Sequence, residues 1–512
     1  MTIPSDDASS ISNPGESSRN TDDTSEQPNT RRLNLRTGAL VALVVFIAVQ
    51  VWRVAAFDFT SGPIVGDQSS HLLQAISISE GLNLSFDEAD IRSFEAVEWG
   101  APRGLFYQAT NDGYAFAKPY GYSLWLAPWL RAFGAVRGAA MANAAILLAL
   151  LSLGYLILRE RFDKLLSLAV ATTFIFGSSA YVFGYVLHSD LMLATLSATI
   201  MWSALRLLRE PRLHWGILLG ATMGFAISEK PPLLAAYFFF AVYAVVQHRN
   251  RIRIAITTAG SFIVALLLSV FPYLYYSDFG AWNPYSGARF IAPSGDVPFD
   301  MTPATSIGLS TNTERFFSPS YWTEVLGDEK REIAESSIYF LVGRHTGMLP
   351  FMPMAFVILA VVLWRKRDDW NLAAATALFG LTAYAGFYIA LFPYNYFGGG
   401  QTVGNRYLLQ VIPVILIPLV LLNISKTQLW KMTGIAFVLS LLFLGPSHRD
   451  PDRSFWLLAR TSVAQELLPF EYDRSDDIVF ACGTYDREVI IRTGDALCHR
   501  VFGITVVRSE AP

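Results

Sequence analysis

The sequence predicts an all-α polytopic membrane protein of about eleven spans, with a cytoplasmic N-terminus and an exoplasmic C-terminus. Three observations predict it. Of the 512 residues, 53% are hydrophobic, more than the roughly 45–50% of a soluble globular chain counted with its glycines. The excess sits in long apolar runs, and a helix needs about 18 nearly uncharged residues to cross a hydrocarbon core of roughly 30 Å. Short basic clusters separate the runs, and Lys and Arg near span ends prefer the cytoplasm.

Residues 1–36 read as a disordered cytoplasmic tail, because a stretch rich in Ser, Asp, Asn and Thr cannot bury enough surface to offset its ordering. Its lack of an early apolar core also argues against a signal peptide. Arg31, Arg32 and Arg36 place the start of the first run, 38–57, inside. The loop 58–138 then lies outside. Within it, 120–133 is apolar and aromatic but too short to span, and reads as an interfacial helix. Run 139–158 returns to Arg159, Arg161 and Lys164. Run 165–187 exits to His188-Ser189-Asp190, and 191–208 returns to Arg206, Arg209 and Arg212. Run 215–228 exits, breaks at Glu229-Lys230-Pro231-Pro232, and 232–246 returns to the basic loop 248–253. Run 254–276 exits to a second large loop, 277–346. Run 348–364 returns to Arg365-Lys366-Arg367, 372–392 exits, 407–422 returns, and the short run 433–444 exits.

The transmembrane domain is thus 37–445, followed by a small exoplasmic α/β tail over 446–512. The tail carries β-like runs at 478–481, 489–492 and 501–507. Cys482 and Cys498 lie there and read as a disulfide in an exoplasmic setting, or as two buried free thiols. If 433–444 does not cross, the tail is cytoplasmic instead.

A net charge of −3 gives no electrostatic footprint for nucleic acid. A transporter keeps its ionisable groups near the bilayer midplane within paired repeats. Here the mid-span regions are nearly free of charge, and no internal repeat is found. The acidic and polar residues gather in the outer loops, as a catalytic or binding surface on a helical base.

Asp67 follows the first span and precedes a helical pattern at Leu72, Leu73 and Ile76, so it is placed as an N-cap with its carboxylate kept ionised. His71 and Gln74 follow on the same face. Asp67 is a candidate general base for an acceptor hydroxyl, or a plain cap. Asp190 is placed to help it, or to share a divalent cation with it and His188, though no ligand spacing demands a metal. A solvated helix end is the alternative for Asp190. Pro231-Pro232 accounts for the break before them. Lys230, by contrast, is a cation on the face that cations avoid, and suits a lipid phosphate. Arg289, Arg344, His345 and Arg406 are further outer cations of the kind that stabilises a departing phosphate. Each alone also reads as snorkelling to headgroups. Gly398-Gly399-Gly400, then Gly404-Asn405-Arg406, lets backbone amides approach a ligand, or makes a flexible turn.

Five segments carry a resemblance. They are Gly66-Asp67-Gln68 with Leu72-Leu73; 118–128, beginning Lys118-Pro119-Tyr120-Gly121; Ser189-Asp190; Glu229-Lys230-Pro231-Pro232; and Gly398-Gly399-Gly400 with Asn405-Arg406-Tyr407. In this order they resemble the bacterial GT-C glycosyltransferases that use polyprenyl-phosphate sugars, relatives of protein mannosyltransferases and lipid A aminoarabinose transferases. The resemblance covers residues 31–425. It implies a GT-C-type bundle topped by exoplasmic juxtamembrane helices, with the active site under the first loop. It implies a polyprenyl-phosphate-linked sugar as donor and an exoplasmic lipid, glycan or protein as acceptor. By position, Asp67 matches the catalytic aspartate, Asp190 the second acidic residue, and Lys230 a basic residue near the lipid phosphate. His71, Lys118, His188, Glu229 and Asn405 complete the expected binding set, with Arg289, Arg344 and Arg406 added from charge and topology. Many relatives carry Asp-Glu at the first motif. Gln68 stands there instead, which removes a paired carboxylate. A transporter or flippase of a lipid-linked glycan is the rival reading, and an envelope scaffold a third.

Overall fold

The computed structural model describes residues 27–469 apart from 62–63, 65, 100–101, 103, 112, 249–250, 278–281, 285–288, 292–306, 310–329, 366–369, 393–395, 399–402 and 450–461. Helix α1 (Gln27–Ala55) begins inside the stretch expected as a tail. Pro28 in its first turn needs no amide partner, so the helix can start there, while its apolar span begins at Leu35.

Residues 58–138 fold into α2 (Asp67–Gly81), β1 (Ser85–Phe86), α3 (Glu88–Phe94), β2 (Phe106–Thr110), β3 (Gly113–Phe116) and α4 (Gly121–Phe133). The bundle continues with α5 (Ala135–Arg159), α6 (Lys164–Phe176), α7 (Ser179–Phe183), α8 (Asp190–Arg209), α9 (Leu213–Glu229), α10 (Leu233–Val246) and α11 (Arg251–Tyr276). Strands β4 (Arg289–Ile291) and β5 (Ile307–Leu309) lie in the second loop. Then follow α12 (Lys330–Val342), α13 (Met348–Phe351), α14 (Pro353–Leu363), α15 (Leu372–Leu391), α16 (Arg406–Val411), α17 (Leu416–Leu421) and α18 (Lys426–Arg449).

Six of these helices are long and apolar enough to cross a membrane: Leu35–Ala55 of α1, and α5, α8, α11, α15 and α18. Shorter apolar helices occupy most of the other expected runs, and α9 occupies 215–228. In α1 and α11 only 11% of the most apolar stretch is buried, so both lie on the outside of the bundle, where lipid solvates them. Lipid supplies no hydrophobic drive for helices to associate, so close backbone packing at small residues has to do it. Gly216, Gly220 and Gly224 of α9 provide this. A Cβ on Gly220 would overlap the Thr258 carbonyl of α11, and one on Gly224 the Phe262 carbonyl. Gly380 of α15 meets the Ala236 carbonyl of α10 in the same way.

Several expected spans change: 348–364 divides into α13 and α14, and 407–422 into α16, a 3-10 turn and α17. Run 165–187 is not one helix: α6 stops at Gly177, Ser178 caps α7 by accepting from the Ala180 amide, and the chain is irregular from 184 to 189. The final run is longer than 433–444. Helix α18 has 24 residues, about 36 Å at 1.5 Å per residue, and passes through Pro446, so the expected domain boundary falls inside it. It starts with Lys426 on Asp163, 3.4 Å away beside α6's start. It ends where the His448 carbonyl accepts from Arg53 of α1 at 3.4 Å and the His448 ring stacks on Tyr181. Its C-terminus is therefore on the side to which α1 delivers Asp67.

At the opposite end Glu160 pairs with Arg206 and Arg209, and Arg161 and Arg365 bond Asn423. On the Asp67 side an antiparallel sheet of order β1-β3-β2-β4-β5 joins the two large loops, with Phe106 opposite Ile291 and Tyr107 opposite Phe290. The expected strands of the tail, and Cys482 and Cys498, lie outside the described residues. Helix α4 is the short helix expected over 120–133. Its Trp125, Trp129 and Phe133 form an aromatic ladder, as suits an interfacial helix.

Candidate active site

Gly66 rather than Asp67 caps α2. Its φ of 62° is a conformation for glycine, and no side chain caps the helix. Asp67 is the first helical residue, and its carboxylate is committed elsewhere. Lys118 pairs with Oδ1. His188 Nε2 lies 2.7 Å and Arg406 Nη1 3.0 Å from Oδ2, with Nη1 also 2.9 Å from Nε2.

Each partner is delivered by a different element. Lys118 comes from the turn between β3 and α4, its ammonium 3.8 Å from the Phe106 ring centroid. His188 comes from the irregular chain after α7. Asn143 of α5 holds that chain by donating to the Gly184 and Val186 carbonyls at 3.1 and 2.9 Å. Gln68 accepts from the Leu187 amide at 3.2 Å, which is what the uncharged residue at this position does. Arg406 opens α16, with Asn405 capping it by accepting from Leu408 N–H. Its side chain runs over Gly398, where a Cβ would overlap Arg406 Cγ and Nε.

Asp190 opens α8 and stands behind His188, its Oδ2 2.8 Å from Nδ1. Gln410, one turn along α16 from Arg406, donates to Asp190 Oδ1 and accepts from Tyr384 OH at 3.0 Å. His188 is thus clasped between two carboxylates. Lys230 sits 3.7 Å above the Tyr407 ring, which stacks on Tyr388, and makes no ion pair among the described residues.

The charges follow from this packing. Burial raises the Asp67 carboxyl, but Lys118, His188 and Arg406 outweigh it and hold it well below the ordinary carboxylate range. Burial disfavours a charged His188 ring, yet Asp190 and Asp67 outweigh it and the pKa rises. His71 is pushed down to about 3 by burial and then by His188, and stays neutral. Burial pushes Lys230 well below the usual lysine value. Arg406 and Lys118 add to this, against Asp190 and Asp67. With His188 protonated, Lys118, His188 and Arg406 against Asp67 and Asp190 leave one positive charge over before Lys230 is counted.

The other expected residues fall around this centre. His71 is buried edge-on to His188 and Tyr122 and makes no ion pair among the described residues. Glu229, expected to bind substrate, is buried with its carboxyl on Gly121 N–H. Arg344 is spent on the Leu468 carbonyl, and its backbone amide on the Pro469 carbonyl, so it is not in the cluster. Only the backbone of Arg289 is described, in β4. For a divalent cation the donor set does not fit. The Asp67 oxygens face Lys118, His188 and Arg406, and Asp190 faces His188 and Gln410. Among the described residues no group of three or more His, Cys, Asp or Glu is placed to hold a metal. Gln410, Tyr384, Tyr388 and Phe106 lie outside the expected set, and Tyr407 is named only within the Asn405-Arg406-Tyr407 motif.

No curated protein matches the chain. The crystal structure of ArnT from Cupriavidus metallidurans bound to undecaprenyl phosphate aligns with a TM-score of 0.46 and 15% identity, over 80% of this chain and 65% of that one, which is less than two thirds of its length. Residues 118–276 match the family model of dolichyl-phosphate-mannose-protein mannosyltransferases. That stretch holds Lys118, His188, Asp190, Glu229 and Lys230, and over it the chain is similar to this family.

Proposed function

We propose that the chain is a membrane glycosyltransferase that moves a sugar from a polyprenyl-phosphate carrier to an exoplasmic acceptor, with Asp67 as general base. One observation carries the reading: Asp67 set among Lys118, His188 and Arg406, beside the uncommitted ammonium of Lys230, where the apolar helices end. The carrier's lipid lies along the spans and its phosphate meets these cations. The match to proteins named for a dolichyl-phosphate-mannose donor supports that class of carrier.

The transfer is a single displacement. The acceptor oxygen forms a bond to the anomeric carbon as the bond from that carbon to the phosphate oxygen breaks. The acceptor proton passes to Asp67, and the bonding pair leaves on polyprenyl phosphate, stabilised by Lys230, Lys118 and Arg406. The anomeric centre inverts. With its pKa depressed, Asp67 is a weak base in the empty site. A bound phosphate draws Lys118 and Arg406 toward itself, which raises the basicity of Asp67 when the acceptor needs it. His188, clasped by Asp67 and Asp190, holds the base in place.

The test is purified protein with a panel of polyprenyl-phosphate sugars and mass detection. Release of polyprenyl phosphate with transfer of the sugar is expected. Passage of an intact lipid-linked glycan across proteoliposomes, with no bond cleaved, would establish the flippase instead. A pH profile tests Lys230. Its protonated form binds phosphate, so donor capture is full below the free-site pKa of Lys230 and falls as pH rises through it. The expected alkaline limb in kcat/KM falls by at most about tenfold per pH unit. Lys230→Arg keeps its charge and shifts that limb upward. An unmoved limb assigns it to another group.

A further inference from the structure

We infer that Glu229 is a positioning residue that ties the turn carrying Lys118 to the helix end carrying Lys230. The inference rests on reading those two lysines as the pair that receives the donor phosphate. Glu229 ends α9 and is 1% exposed. Its Oε1 accepts from the Gly121 amide, at the start of α4, at 3.0 Å. Gly121 permits this by having no side chain, since a Cβ there would stand 2.6 Å from Glu229 Cδ and Phe225 Cζ.

The turn from Lys118 to Gly121 is held by two other elements. The Lys118 carbonyl accepts from Gln74 of α2 and from Tyr273 OH of α11, both at 3.3 Å. The Tyr120 amide donates to Tyr273 OH at 2.5 Å, and Tyr120 OH donates to the Ser269 carbonyl at 3.0 Å. Glu229 adds the link to α9. The next residue, Lys230, leaves the helix with extended backbone and lays its ammonium on Tyr407. Through the Gly121 amide on one side and the following residue Lys230 on the other, this buried carboxyl relates the two cations.

The chemistry of the contact separates positioning from catalysis. Among the described residues Glu229 pairs with no cation, and its Oε2 makes no hydrogen bond. What it supplies is an acceptor of the right length for one backbone amide. A carboxamide supplies the same acceptor, whereas a proton carrier has to be an acid.

The experiment uses the full chain in detergent, undecaprenyl phosphate as the binding probe, and turnover on the polyprenyl-phosphate sugar that the panel selects. Glu229→Gln should keep probe affinity and donor KM within about threefold, because the acceptor survives. Glu229→Ala should weaken probe binding and raise donor KM by about tenfold or more, with a smaller change in kcat. Gly121→Ala attacks the same contact from the other side with Glu229 intact. It should give the same KM-weighted loss, and it carries the test if Glu229→Ala does not fold. A folded Glu229→Ala or Gly121→Ala variant that binds the probe like wild type overturns the inference and leaves the donor reading standing. Equal impairment of Glu229→Gln and Glu229→Ala also overturns it, by making the acid itself necessary. If wild type fails to bind undecaprenyl phosphate, the donor reading falls, and the inference with it.

Discussion

Asp67→Asn should abolish sugar transfer, lowering kcat by about 10³-fold within the 10²–10⁴ supplied by a placed base, and should bind polyprenyl phosphate more tightly than wild type. Asparagine keeps the shape of aspartate, but its one amide oxygen can accept from only one side, Lys118 or the His188 and Arg406 pair, and it cannot take the acceptor proton. Asp67 also competes with the phosphate, since it occupies the cations the phosphate needs. Removing its charge frees them, and a gain of roughly tenfold in affinity corresponds to 1.4 kcal/mol. The buried cations are then less well compensated, which destabilises the empty protein. Undecaprenyl phosphate should therefore raise the melting temperature of Asp67→Asn by more than that of wild type. Single-turnover release of polyprenyl phosphate checks the first effect, and a titration with thermal unfolding checks the second. Near-normal turnover would remove Asp67 from the mechanism. An inactive variant with unchanged affinity would show that the carboxylate does not compete for the cations.

The centre was legible in the sequence to the extent that its members are ionisable. The alternation of basic clusters sorts Asp67, Lys118, His188, Asp190, Lys230 and Arg406 to one face, and Lys118 is named through the motif that it begins. Residue type alone does not give each group's partner. Arg344 has the expected sign and side, and it donates to the Leu468 carbonyl at 3.3 Å. Asp67 has the residue type of a cap, but three cations claim its oxygens and Gly66 supplies the turn. Gln410 was missed because a neutral amide in an apolar run changes hydropathy little. Its one signal was being polar at one turn's spacing from Arg406. The sheet was not legible because β2 and β4 are short and pair across more than 180 residues, Phe106 with Ile291. The break in α6 had a signal in Gly177-Ser178, but the hydropathy of 165–187 hides it. That break matters, because the chain beyond it carries His188 to Asp67.

Gly398→Val should reproduce the loss of Arg406 without touching Arg406. Gly398 has φ of 104°, and a Cβ there overlaps Cγ and Nε of the arginine. A branched side chain must push the guanidinium away from Asp67 Oδ2 and His188. With that cation displaced, the departing phosphate loses one of its stabilising groups, and kcat/KM should fall by about 10²–10³-fold, the range for removing one fixed transition-state donor. The left-handed backbone adds about 1–2 kcal/mol of local strain, which thermal unfolding reports separately. Arg406→Met should show a loss of similar size. If Gly398 acts only by giving Arg406 room, the double variant should be no worse in turnover than Arg406→Met alone, because the second change has nothing left to displace. Multiplied losses in the double variant would show that Gly398 serves the site in its own right, through a backbone amide that meets the ligand.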